Sequence, residues 1–191
     1  MRRFLSKRNE VTLRDGLVYK QTKNPQQAAL EASILRELRG RGVAVPQVVA
    51  CRGNLLILEY LPGEPLPDLI GRGAYDPDAL AGALCDWFAA FYAAVSTGQL
   101  RGDVNGRNFL YDGTRIHSVD FEERCYGLPA QDAGRLAAFL ATYDTCDRER
   151  QAALTWAFTR AFSARFACGA EDIKAQQELE YAAMRLRREQ L

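Results

Sequence analysis

Two aspartates and an asparagine sit at offsets suited to a single chemistry. Asp103 is followed five residues later by Asn108 and seventeen residues later by Asp120, within Arg101-Gly102-Asp103-Val104-Asn105-Gly106-Arg107-Asn108-Phe109-Leu110 and Ser118-Val119-Asp120-Phe121-Glu122. Apolar residues flank the turn that separates the two segments. Phosphoryl transfer needs such a set: one carboxylate to orient a hydroxyl, and an amide with a second carboxylate to hold the magnesium that neutralises the phosphates.

The elements that must position these groups are legible from pattern. Glu10 to Leu13 and Leu17 to Gln21 flank Arg14-Asp15-Gly16, whose Asp-Gly is a tight-turn signal, and predict a hairpin. After Pro25, the spacing of Ala28, Leu30, Ile34, Leu35 and Leu38 predicts a helix that Gly40 and Gly42 end. Residues 43–51 and 54–60 read as two further strands, the second almost wholly apolar and therefore interior. Leu61-Pro62-Gly63-Glu64-Pro65-Leu66-Pro67 reads as a connector. Beyond it, Asp76 caps a long apolar helix over 79–96. A short strand pair around Asp112-Gly113 follows, then helices over 130–143, 148–167 and 170–189, the last of them polar and superficial. Strands followed by helices argue an α+β fold with a small strand-rich lobe over 1–61 and a helical lobe over 62–191.

With a strand lysine, a helix acid and the two-acid loop in this order, the chain resembles the protein-kinase-like superfamily, in its aminoglycoside phosphotransferase and choline kinase branch of small-molecule kinases. The specific residues are Gly102-Asp103 with Asn108, and Asp120-Phe121-Glu122, which match the branch's Gly-Asp-x4-Asn and Asp-Phe-Glu. The resemblance implies a two-lobed protein-kinase-like fold, with an antiparallel sheet and one helix in the first lobe and a short helical second lobe. It also implies ATP and magnesium as cofactors.

Carried over residue by residue, Asp103 is the catalytic group that orients the acceptor hydroxyl and takes its proton. Asn108 and Asp120 are the magnesium ligands. Lys20 contacts the α- and β-phosphates, held by Glu31, with Glu37 as the alternative partner on the same helix. Glu59, Tyr60 and Leu61 form the interlobe hinge that binds adenine through its backbone. Asp132 matches an aspartate that steadies the catalytic loop, although an N-cap for a helix starting at Ala133 accounts for it equally well. Arg101 stands where the branch usually has a histidine of structural role. The phosphate-covering loop falls at residues 5–10, which contain no glycine. Ser6 and Asn9 resemble the Ser-Asn of small-molecule kinases, and Lys7 or Arg8 could supply charge to phosphate. His117, the only histidine, is given no role.

The bulk numbers agree with this reading and close others. At 191 residues there is room for one core or two small lobes. Twenty-five Lys and Arg against 24 Asp and Glu leave a net charge of +1, so no global field favours nucleic acid or an acidic membrane. No apolar run approaches the roughly 20 residues of a membrane helix, and no signal peptide is evident. Five scattered cysteines without Cys-x-x-Cys argue against a disulfide framework and for a reducing cytoplasm. The expected activity is ATP- and magnesium-dependent transfer of the γ-phosphate to a hydroxyl of a small-molecule acceptor. The short stretch after Asp120 implies an open acceptor site that leaves room for a protein partner. A pseudokinase used for nucleotide sensing or docking, and a compact protein kinase, are the alternatives.

Overall fold

The computed structural model describes the backbone of residues 2–4 and the whole of residues 9–122 and 124–189. The first part of the chain is a five-stranded antiparallel sheet in the order β1-β2-β3-β5-β4. Its strands are β1 (Arg2–Phe4), β2 (Glu10–Arg14), β3 (Leu17–Gln21), β4 (Val48–Arg52) and β5 (Leu55–Glu59). Asp15 and Gly16 turn β2 into β3 with φ of 49° and 75°, the left-handed pair a two-residue hairpin requires. Lys20 lies opposite Val11 on one side and Leu56 on the other, and it shares a face with Val18 because side chains alternate along a strand.

Helix α1 (Pro25–Gly40) crosses between β3 and β4. Asn24 caps it by accepting from Gln27 N at 2.9 Å, and Pro25 occupies its first turn, where no N–H is needed. It buries Ala28, Glu31, Ala32, Ile34, Leu35 and Leu38. Glu31 is the one charged group on that buried face, and the site explains it.

The Pro-rich connector holds more structure than its composition suggests. Glu64–Pro65 forms strand β6 and Leu66–Arg72 forms helix α2. Pro67 falls in the first helical turn, so here it starts the element instead of breaking it. The expected strand over 43–51 is shorter than its composition implied. Residues 43–47 instead bend back on α1, with Val43 N bonded to Leu38 O at 3.0 Å.

Helix α3 (Pro77–Ala94) follows, capped by Asp76, which accepts from Ala79 N at 2.8 Å. Strands β7 (Gln99–Leu100), β8 (Phe109–Tyr111), β9 (Ile116–Ser118) and β10 (Cys125–Tyr126) come next, then α4 (Pro129–Thr142), α5 (Arg148–Phe166) and α6 (Ala170–Glu189). β6, β8 and β9 make one small sheet and β7 pairs with β10. α5 packs on α3 and α4, and α6 lies mainly on α4. α6 buries only Ile173 and Met184, as its polarity predicted.

The core of this part is aromatic. Trp87 stacks on Phe91 at 5.4 Å, and Phe109 meets Trp87 edge-on at 5.4 Å. Phe109 directly follows Asn108, so its burial anchors the motif loop to α3. Two bonds tie the exit of α1 to the rest: Trp87 Nε1 donates to Ala44 O at 3.1 Å, and Ser118 N to the same oxygen at 3.0 Å. Among the described residues, no helix is long and apolar enough to cross a membrane.

Candidate active site

The motif loop needs its glycines for space. Gly102 has φ of +80°, and a side chain there would meet the Cys125 sulfur at 2.4 Å. At Gly106 an added Cβ would lie 2.7 Å from the Tyr143 hydroxyl, which accepts the Gly106 N–H at 2.8 Å. Burial pushes that tyrosine's pKa up to about 12, so it stays protonated. Between them Asn105 caps a single 3-10 turn, Gly106–Asn108, by accepting from Arg107 N at 3.0 Å. The loop is thereby fixed at both ends of its turn.

Asp132 holds the start of the same loop. It lies inside the first turn of α4, whose N-cap is Leu128, so the capping account does not apply. Its carboxylate is fully buried and accepts from Arg101 N at 2.7 Å, Gly102 N at 3.0 Å and the Tyr92 hydroxyl at 2.9 Å. Burial pushes its pKa up, and these donors pull against that shift.

Arg101, where a histidine is usual, stitches the loop to β9 and the segment after it that carries Asp120. It donates to Ser118 Oγ at 3.2 Å, Val119 O at 2.7 Å and Asp120 O at 3.0 Å. Its guanidinium lies 4.1 Å from the centre of the Phe121 ring. Burial lowers its affinity for a proton, while Asp103, Asp120, Asp132 and Glu31 raise it. A guanidinium remains charged under such conditions. The Arg101 bonds brace the motif loop against the segment that carries Asp120.

Asp120 itself has φ of 68°. Left-handed backbone costs a non-glycine residue roughly 1 kcal/mol, less for aspartate than for most. Burying the adjacent Phe121 is worth about 1.5–3 kcal/mol, so packing outweighs the strain. Such outliers concentrate at functional sites.

Lys20 joins the two parts of the chain. Its ammonium bonds to Glu31 Oε2 at 2.7 Å and to Asp120 Oδ1, with Glu122 Oε1 at 3.5 Å. Burial alone would lower the lysine pKa, but the adjacent Glu31 and Asp120 raise it, so the cation persists. Burial pushes the Glu31 pKa up while Lys20 draws it down. We take Glu31 as ionised, because its two oxygens accept from Lys20 and from Phe121 N at 3.3 Å. Glu37 faces elsewhere and binds Arg124 at 2.5 Å. The choice between the two glutamates falls to Glu31.

Lys20, Glu31, Asn108 and Asp120 line one cavity of about 420 Å³. Val11 and Val18 from the large sheet, with Leu110 and Val119 from beyond the connector, give it apolar walls, a size and lining suited to a nucleoside. Glu59, Tyr60 and Leu61 line it too. The Glu59 side chain is taken by Arg39 at 2.8 Å and Gln47 N at 3.0 Å. Asp103 does not line the cavity. It is exposed on the adjoining loop; its carboxylate accepts from Asn105 N at 3.2 Å and its carbonyl from the Asn108 amide at 3.3 Å. Sequence reasoning missed Asp68 and Arg107, which also line the cavity. Arg107 could have been found from its place inside the motif, whereas nothing marks Asp68.

Ser6, Lys7 and Arg8 lie outside the described residues. Asn9 is described and donates to Glu122 Oε1 at 2.7 Å. His117 is paired with Asp112 at 2.9 Å, and neither residue lines the cavity.

Among the described residues, no group of three or more His, Cys, Asp or Glu could hold a metal unaided. The charges nevertheless fit a magnesium nucleotide. Glu31, Asp120 and Glu122 surround a single ammonium, an excess of negative charge that a divalent cation would offset. Magnesium commonly takes one or two protein oxygens and completes its shell with phosphates and water. Asn108 and Asp120 could provide them.

Comparison with known proteins places the family and the fold. Residues 7–125 match the RIO domain family, RIO1. The chain is 28% identical over 92 residues to the EKC/KEOPS complex subunit BUD32 of Encephalitozoon cuniculi (strain GB-M1), a match spanning 48% of this chain and 44% of that subunit. Among solved structures, the ADP-bound aminoglycoside phosphotransferase APH(2'')-Ib superposes with a TM-score of 0.63 at 14% identity, over 92% of this chain and 80% of that one. The gentamicin complex of APH(2'')-IIa gives 0.59 at 13% identity, over 87% and 78%. At such identities the likeness is one of fold.

Proposed function

From the premise that the chain belongs to the RIO domain family and carries a kinase-like phosphotransferase domain, we propose that it moves the γ-phosphate of ATP to a hydroxyl of a small-molecule acceptor. The observation that carries this is the convergence of Lys20, Glu31, Asn108 and Asp120 on one partly apolar cavity. Lys20 binds the α- and β-phosphates and Glu31 keeps it aimed. Asn108 and Asp120 hold magnesium, which when bound neutralises phosphate charge. The backbone at Glu59, Tyr60 and Leu61 meets adenine. Asp103, just outside the cavity wall, orients the acceptor hydroxyl and takes its proton as the phosphoryl group arrives. The work is chiefly positioning, as a loosely bonded transition state requires.

On this reading the lobes divide at Leu61, into 1–61 and 62–191, in keeping with the five-stranded sheet and α1 both ending before that point. The setting is cytoplasmic. The exposure of Asp103 supports an open acceptor site. A protein acceptor or partner is the second reading, supported by the match to a protein that is itself a complex subunit. Pseudokinase use for sensing or docking is disfavoured by the retention of Lys20, Asp103, Asn108 and Asp120 together.

Thermal shift with ATP, magnesium and both together tests the reading. At a hundred times the dissociation constant, nucleotide with magnesium should add about 2.7 kcal/mol of stability, and either alone much less. A melting temperature indifferent to all three would remove the nucleotide site.

A further inference from the structure

The cavity contains a cation that the account above does not use. Of its charged residues, Lys20 is bound by Glu31 and Asp120, and Glu59 by Arg39. Arg107 also lines the cavity, is exposed, and makes no ion pair or side-chain hydrogen bond with the described residues. Its backbone, by contrast, is firmly placed. It is the middle residue of the Gly106–Asn108 turn, with Arg107 N bonded to Asn105 Oδ1 at 3.0 Å, Gly106 N to Tyr143 at 2.8 Å and Asn108 N to Asn105 O at 2.9 Å. A charged side chain thus leaves a rigid turn directly beside Asn108, between that residue and Asp103.

Electrostatics says what such a group would meet. Three carboxylates surround Lys20, so the inner end of the cavity is net negative, and a divalent ion does no more than balance it. A transferring phosphoryl group carries further charge on its outer oxygens. The segment that would usually cradle it, residues 5–10, offers no glycine. A planar guanidinium with paired donors matches phosphate oxygens geometrically. We propose that Arg107 is a catalytic residue that grips the γ-phosphoryl group from the Asp103 side, supplying positive charge in cis from the motif loop. This rests on the cavity being the nucleotide site.

The test compares ADP with a non-hydrolysable β,γ-imido ATP analogue, each with magnesium, on the full chain and on Arg107→Gln and Arg107→Lys. Arg107→Gln should lose about tenfold to a hundredfold in affinity for the analogue, the weight of a hydrogen bond to a charged group, with ADP affinity unchanged. Turnover should fall with it, and Arg107→Lys should recover part of both. Equal losses for ADP and analogue would mean structural damage and overturn the proposal. So would unchanged affinity and turnover, or an effect confined to the KM of the acceptor. If the unaltered chain binds neither nucleotide, the nucleotide reading fails first and takes this inference with it. If the unaltered chain binds both and the variant keeps their ratio, only the role of Arg107 falls.

Discussion

Asp103→Asn should bind magnesium nucleotide as the unaltered chain does, yet transfer phosphate roughly 10²–10⁴-fold more slowly, the usual weight of a positioned general base. The separation of effects follows from placement. Asp103 does not line the cavity, and the substitution keeps an oxygen able to accept the Asn105 N–H now bonded at 3.2 Å. The Asn108 amide bonds the backbone of residue 103, not its side chain, so that neighbour also stays in place. Because the residue is exposed, stability should move by no more than about 0.5 kcal/mol. Steady-state turnover combined with nucleotide titration of the same preparation checks both halves. An equal fall in affinity would make Asp103 part of the nucleotide site; unaltered turnover would remove it from the chemistry.

Lys20→Met should unfold more easily by about 3–5 kcal/mol, as breaking one side of a buried ion pair does. The side chains involved are 7% exposed for Lys20 and 2% for Glu31, so water cannot take over the lost partner. Asp120, at 38%, can be solvated and adds little. Glu31 then sits with its pKa pushed up further, since burial raises it and Lys20 no longer pulls it down. A carboxyl whose pKa is higher folded than unfolded stabilises the fold in acid and loses that contribution as pH rises through the folded value. The deficit of Lys20→Met should therefore narrow in acid and widen toward neutral pH in denaturant titrations. Lys20→Met with Glu31→Leu should regain most of the stability, because no unpaired charge remains, and none of the turnover. Failure of the double variant to regain stability would show that the pair is not the source of the loss.

Much of this arrangement was legible before any coordinates, and the reasons are local. The Asp15-Gly16 hairpin, the capped α3 and the polar α6 follow from turn chemistry, capping and periodicity, all short-range. The motif residues were legible because their spacing is set by one turn and one hairpin. α2 was not, since Pro65 and Pro67 punctuate a helix start as readily as a loop. The strand over 43–51 was overextended because Val-rich composition cannot say that residues 43–47 are held by the end of α1.

What pattern could not supply were partners distant in the chain. Glu31 and Glu37 are six residues apart, about 240° around a helix, so only one could face Lys20, and packing decided which. The bond from Lys20 to Asp120 spans 100 residues. Arg101 read as a departure from a histidine. Its three bonds to Ser118, Val119 and Asp120 join the motif loop to the segment after β9, which the sequence pattern did not reveal. Asp132 read equally well as a cap until the helix was seen to begin three residues earlier, at Pro129.

The central claim is that Asn108 and Asp120, brought together at the inner end of the cavity with Lys20, hold the metal of a bound nucleotide. A crystal structure of the full chain with a non-hydrolysable ATP analogue and manganese, the ion located by anomalous scattering, tests it most directly. The account predicts the ion in direct contact with side-chain oxygens of both residues and with the phosphates, and adenine against the backbone of residues 59–61. An ion held elsewhere, or a nucleotide outside this cavity, would contradict it.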